Sequence, residues 1–173
     1  MVTKPEQEKI AEYEKLRNGG SVVRFWQLPL EAKAALAWYM AFDGCAWKLP
    51  QYLEKEFTVN DFVDVVRKGG FNRYMDFQIG FHPGISVKDL KKSMMQDSDI
   101  ENEHEDFNQY HEWYLNVACP VDHDVTKPLW PVILGDLQTD YFETLQDGWH
   151  RFHCYVRNGI QKIPALYFLG ENE

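Results

Sequence analysis

The stretch Glu143-Thr144-Leu145-Gln146-Asp147-Gly148-Trp149-His150-Arg151, followed by a short helical pattern and then Ile163-Pro164-Ala165-Leu166-Tyr167-Phe168, reads as strand, tight glycine turn, helix and strand. It places a histidine and an arginine in the first helical turn. Backbone N–H groups there lack intrahelical partners and sit at the positive end of the helix dipole, so the turn attracts anions, and a preceding glycine lets a phosphate come close. Gly148, Trp149, His150 and Arg151 are therefore the candidate phosphate-binding residues. Arg151 can add a forked, charge-assisted contact to the same oxygens. Asp147 can cap the helix by accepting a backbone N–H, or hold a metal ion or a substrate hydroxyl, and the sequence does not choose between these roles.

The same residues also support a purely architectural reading. Asp-Gly suits any strand-to-helix turn. Trp149, Phe152 and Val156 recur at i, i+3 and i+7, an apolar stripe that would face a core. His150 then only satisfies a buried hydrogen bond.

Working outward, Leu129-Trp130-Pro131-Val132-Ile133-Leu134 reads as a strand in which Pro131 implies an edge position or the very start. A loop from Gly135-Asp136 to Tyr141 joins it to the motif. Upstream, Met75-Asp76-Phe77-Gln78-Ile79-Gly80 alternates as a strand does, and His82-Pro83-Gly84 is expected to break it. Val87 to about Met95 and Glu105 to Leu115 have helical spacing. Before Met75 only helices are expected: a charged one over residues 5–17 closed by Gly19-Gly20, an apolar one from Pro29 to about Phe42, and shorter pieces at Tyr52–Lys55 and Asn60–Lys68. The expected class is α+β, a small mixed sheet with packed helices, divided into an N-terminal helical region over 1–74 and a domain over 75–173.

At 173 residues the chain can build one sizeable core, and six Trp, nine Tyr and eleven Phe make a disordered chain untenable. No run approaches the roughly 18 apolar residues of a membrane span. The N-terminus (Lys4, Glu6, Glu8, Lys9) lacks the pattern of a signal peptide, so a cytoplasmic location and no membrane partner are expected. Cys45, Cys119 and Cys154 are odd in number and widely spaced, as free thiols would be.

The net charge of −9 is localised. Asp97, Asp99, Glu101, Glu103, Glu105, Asp106, Glu112, Asp122 and Asp124 occur in a stretch without Lys or Arg, and elsewhere acids and bases balance at eighteen each. Generic duplex DNA is thus an unfavourable partner, since binding it requires a basic surface that displaces counterions.

The segment from Trp130 to Leu134, the Leu145–Arg151 motif and Arg157-Asn158-Gly159-Ile160-Gln161-Lys162-Ile163-Pro164-Ala165-Leu166 together resemble the core of the ParB/sulfiredoxin-like superfamily, over roughly residues 75–170. The resemblance implies a nucleotide (ATP, ADP or CTP) with Mg2+, its phosphates held by Gly148, Trp149, His150 and Arg151. It implies Asp147, His150 and Glu143 as catalytic candidates and Asp147 as a metal ligand, with Asp122 of the acidic stretch the candidate second ligand. Trp149 occupies the place of sulfiredoxin's reactive cysteine, which argues against reductase chemistry. His150 stands where partition proteins carry arginine, and no basic helix-turn-helix follows before Glu173, which argues against a partition role. The Asp-Gly-x-His-Arg form is closer to kinase-like members, so Mg-dependent phosphotransfer or nucleotide hydrolysis is the leading expectation.

The acidic stretch, with His104, His111 and His123, offers a second reading. Glu103, Glu105, Asp106 and Asp122 can supply Mg2+ ligands or a general base. His104 and His111, seven apart, would share a helix face, but no third ligand follows at the spacing of a zinc site. Alternatively, the face 97–124 is a solvated surface that meets a basic protein partner by mimicking nucleic acid, as some phage-encoded inhibitors do. A third reading, a metal-dependent nuclease using Asp147, would bring DNA up against this acidic face.

Overall fold

A computed structural model describes residues 11, 16, 18–42, 78–118, 125–135 and 145–168. The fold is mixed α+β. Five strands form one sheet: β1 (Ser21–Arg24), β2 (Gln78–Ser86), β3 (Val132–Leu134), β4 (Leu145–Asp147) and β5 (Lys162–Phe168), in spatial order β1-β2-β5-β3-β4. All neighbours are antiparallel except β3 and β5, which run parallel. The helices are α1 (Leu30–Phe42), α2 (Val87–Met94), α3 (Ser98–Glu103), α4 (Phe107–Trp113) and α5 (Trp149–Arg157).

Two expectations are corrected. The N-terminal part is not helical throughout, because Ser21-Val22-Val23-Arg24 pairs with Phe81 to Gln78 and forms one edge of the sheet. Of the helix expected over residues 5–17, Ala11 and Leu16 are described, and both are helical. The helices expected at 52–55 and 60–68 lie outside the described residues.

Nor does His82-Pro83-Gly84 end a strand. β2 runs through it, with His82 opposite Ala165 and Ile85 opposite Ile163, so that Pro83 and Gly84 together face the single residue Pro164. A proline in a central strand has no N–H for the ladder; a bulge in the partner strand accommodates that gap. Pro131 sits immediately before β3, the starting position, and β3 itself is internal to the sheet.

The inward residues of β3, β4 and β5 (Val132, Leu134, Leu145, Ile163, Ala165, Tyr167) pack with Val87, Leu90 and Met94 of α2, Phe107 and Tyr110 of α4, and Phe152 and Tyr155 of α5 in the main core. The opposite face buries Ile133 and Leu166, and a smaller cluster joins Ala34 and Ala35 of α1 to Trp130. Side chains alternate across a strand, so one short sheet serves both layers.

The acidic stretch spends two of its carboxylates on folding. Asp97 caps α3 by accepting from Asp99 N–H at 2.9 Å, and Asp106 caps α4 by accepting from Gln109 N–H at 2.9 Å. His104 is the residue after α3, not part of α4, so it does not share a helix face with His111 as the spacing suggests. The helix expected over 105–115 is α4 followed by one π turn, Tyr114–Ala118.

Candidate functional site

β4 delivers the motif to α5 as the residues dictate. Gly148 occupies the cap position at φ +93°, a left-handed conformation that glycine adopts without steric cost, and no side chain caps the helix. Its carbonyl accepts the Phe152 N–H at 2.8 Å, the first bond of the helix.

Arg151 takes an unexpected course. It is buried, and its Nη2 donates to the Pro131 carbonyl at 2.9 Å, with Asp147 Oδ2 at 3.8 Å. A Cβ on Gly148 would lie 2.9 Å from that same Nη2. The guanidinium therefore lies folded beneath the glycine turn and ties α5 to the chain entering β3. His150 is half-buried with its Nδ1 2.6 Å from the Tyr114 hydroxyl, and Trp149 packs partly buried against the core. Asp147, Gly148, Trp149, His150 and Arg151 thus share one turn, with Asp147 and Arg151 paired. Glu143 and Asp122 lie outside the described residues. Cys154 is buried, and its Sγ accepts from Asn158 Nδ2 at 3.6 Å and from Arg157 Nη2 at 3.9 Å.

A cavity of about 510 Å³ lies elsewhere, between α2 and the β2–β5 pair, and Asn18, His82, Ser86, Asp89, Ser93 and Lys162 supply its polar lining. None of the turn residues lines it. The start of α2 is already satisfied, since Val87 N–H donates to Gln161 O at 3.0 Å and Asp89 N–H to Ser86 Oγ at 3.3 Å. Binding capacity therefore resides in the side chains. His82 Nδ1 accepts from Gly84 N–H at 3.0 Å, so the neutral ring carries its proton on Nε2. Burial and then the Lys162 charge hold its pKa below the usual histidine value. Near pH 7 the cavity thus offers a neutral N–H, an ammonium, an amide and two hydroxyls against one carboxylate, an excess of donors that suits an anion.

These residues come from segments far apart in the chain. The helix from Val87 to about Met95 is expected from the sequence, but none of the polar lining residues is; Lys162, at the start of β5, carries no local signal. Among the described residues no group of three His, Cys, Asp or Glu side chains is placed to hold a metal ion, and no helix is long and apolar enough to cross a membrane. A comparison with protein families, with curated proteins and with solved structures finds no match in any of the three.

Proposed function

We propose that this protein binds a nucleotide and holds its phosphates in the cavity between α2 and β5. The observation that carries this reading is the donor-rich lining, with Lys162 and the His82 Nε2–H on one side and Asn18 and Ser93 among the remaining donors. A volume of about 510 Å³ suits a small ligand. Asp89, the carboxylate among its described lining residues, is the natural contact for the Mg2+ that accompanies nucleotide phosphates. The resemblance of the β3–β4–α5–β5 segment to the ParB/sulfiredoxin-like core supports the same ligand class. The uncapped Gly148 turn, with His150 in its first helical turn, is the second place where phosphate oxygens can be met.

Thermal shift and calorimetry with ATP, ADP and CTP in Mg2+ test the proposal. A ligand at a hundred times its Kd stabilises the folded state by about 2.7 kcal/mol. Lys162→Ala is expected to remove most of the shift, and His150→Ala reports whether the α5 turn contributes. No nucleotide-dependent shift in the parent protein refutes the proposal, and release of labelled phosphate from bound ATP would extend it to hydrolysis.

One observation favours a second reading. Asp99, Glu101, Glu103, Glu105, Asp106 and Glu112 are all exposed, which presents a dense anionic surface to a basic partner. Affinity for such a partner would fall steeply with salt.

A further inference from the structure

His153, on α5, is fully buried in a stack of rings. Its ring centroid lies 4.0 Å from that of Tyr114, 5.9 Å from that of Phe107 and 5.1 Å from that of His111, with interplanar angles of 16°, 4° and 16°. Its Nδ1 is 2.8 Å from the Nδ1 of His111 on α4, and its buried Nε2 has no hydrogen-bond partner among the described residues.

Two imidazole nitrogens at that separation share one proton. Were His111 the donor, His153 would carry its own proton on Nε2, a buried N–H with no acceptor, which costs roughly 1–3 kcal/mol. The favoured arrangement is therefore His153 Nδ1–H donating to His111 Nδ1, with the single proton of the neutral His111 ring on its half-exposed Nε2 side. A further proton on His111 must go to Nδ1. That sets two N–H groups against each other across 2.8 Å, and the bond between the helices becomes a repulsion.

The surroundings offer little relief. His153 faces His111 and Tyr110 from α4, Tyr114 from the π turn and His150 from its own helix, none of them an anion. His111 has Glu112 as its one favourable charge, opposed by Lys91 of α2 and Arg157 of α5. Lys91 also sits 5.0 Å over the Phe107 ring of the same stack.

We propose that the His111–His153 pair is an acid-released latch that holds α4, and the acidic stretch it belongs to, against α5. Near neutral pH the shared proton closes the seam. Below the ordinary histidine range a second proton opens it, and the π turn Tyr114–Ala118 and the short links around His104 flank the segment that moves. Phe107, Tyr110 and the buried face of α5 become accessible on release.

Hydrogen exchange of the full chain at pH 7.5 and 5.5, corrected for intrinsic exchange rates, tests this. For one group that is ordinary when released and protected from protons when closed, opening rises about tenfold over that interval. Residues 107–118 should lose about that much protection while β5 keeps its own. His111→Gln, at a half-exposed position that tolerates substitution, should leave only the part of the pH dependence that the burial of His153 supplies, and His153→Phe, which retains the stack, should remove that part. Equal protection of 107–118 at both pH values overturns the latch. So does joint loss of protection in α4 and β5, which signals global acid unfolding, or a pH response that is undiminished in His111→Gln.

Discussion

Gly148→Ala offers a direct measure of how far the α5 turn is committed to the fold. The substitution puts a Cβ on a residue at φ +93°, and the left-handed backbone costs a residue with a Cβ about 1–2 kcal/mol. That Cβ would also lie 2.9 Å from Arg151 Nη2 and 3.2 Å from Val132 Cα. Backbone cannot yield easily, so the guanidinium must move and give up its 2.9 Å bond to the Pro131 carbonyl, a charged hydrogen bond worth about 1.5–3 kcal/mol. The expected loss of stability is about 2.5–5 kcal/mol. Gly159→Ala supplies the control: φ is +74°, nothing lies within 4 Å of the added Cβ, and only the backbone cost of about 1–2 kcal/mol remains. Urea denaturation of both variants reads the difference as a shift in midpoint at unchanged slope. Equal losses in the two variants would show that Arg151 is not locked beneath the turn, and would return it to the pool of ligand contacts.

Phe152→Ala, which empties a fully buried position edge-on to Phe107 at 5.9 Å, should cost about 3–5 kcal/mol in the same assay. Tyr155→Phe removes a hydroxyl that donates to Trp130 O at 3.1 Å and accepts Trp130 N–H at 3.0 Å; a loss of about 2 kcal/mol, with the fold retained by circular dichroism, is expected. The pKa of His153 is lowered to about 3, by burial first and then by His111 and His150. The unfolded chain therefore takes up a proton near pH 6.5 that the folded chain refuses until about 3, so stability is complete above pH 6.5 and declines as pH falls. Between pH 7 and 5 the decline from this residue is about 2 kcal/mol, and His153→Phe should flatten that part of the stability–pH curve.

The strand–turn–helix–strand motif and α2 were legible because each rests on local chemistry: glycine before a helix and apolar residues at helical spacing. β1 was not, because Ser21-Val22-Val23-Arg24 is too short to display an alternation and becomes a strand only through pairing with residues 78–81. Pro83-Gly84 carries the local signature of a turn, yet the residue that decides its conformation is Pro164, across the sheet. The cavity was illegible for the same reason: Asn18, His82 and Lys162 meet only when β1, β2 and β5 assemble.

Arg151 makes the point most sharply. Its residue type and its place in a first helical turn argue for an anion, and local sequence holds no sign of the Pro131 carbonyl that it meets instead. The glycine that seems to open space for a phosphate also opens space for the guanidinium, since the missing Cβ is what lets Nη2 pass beneath the turn. Trp149, Phe152 and Val156 mark the expected stripe on α5, but residues 151–155 are all buried. α4 covers a second side of the helix, and His153 is buried there. A buried histidine without a carboxylate among the groups facing it costs stability in acid. Its pairing with His111 turns that cost into a pH-dependent contact between two helices, and the resulting seam is a property of the assembled layers that neither helix carries alone.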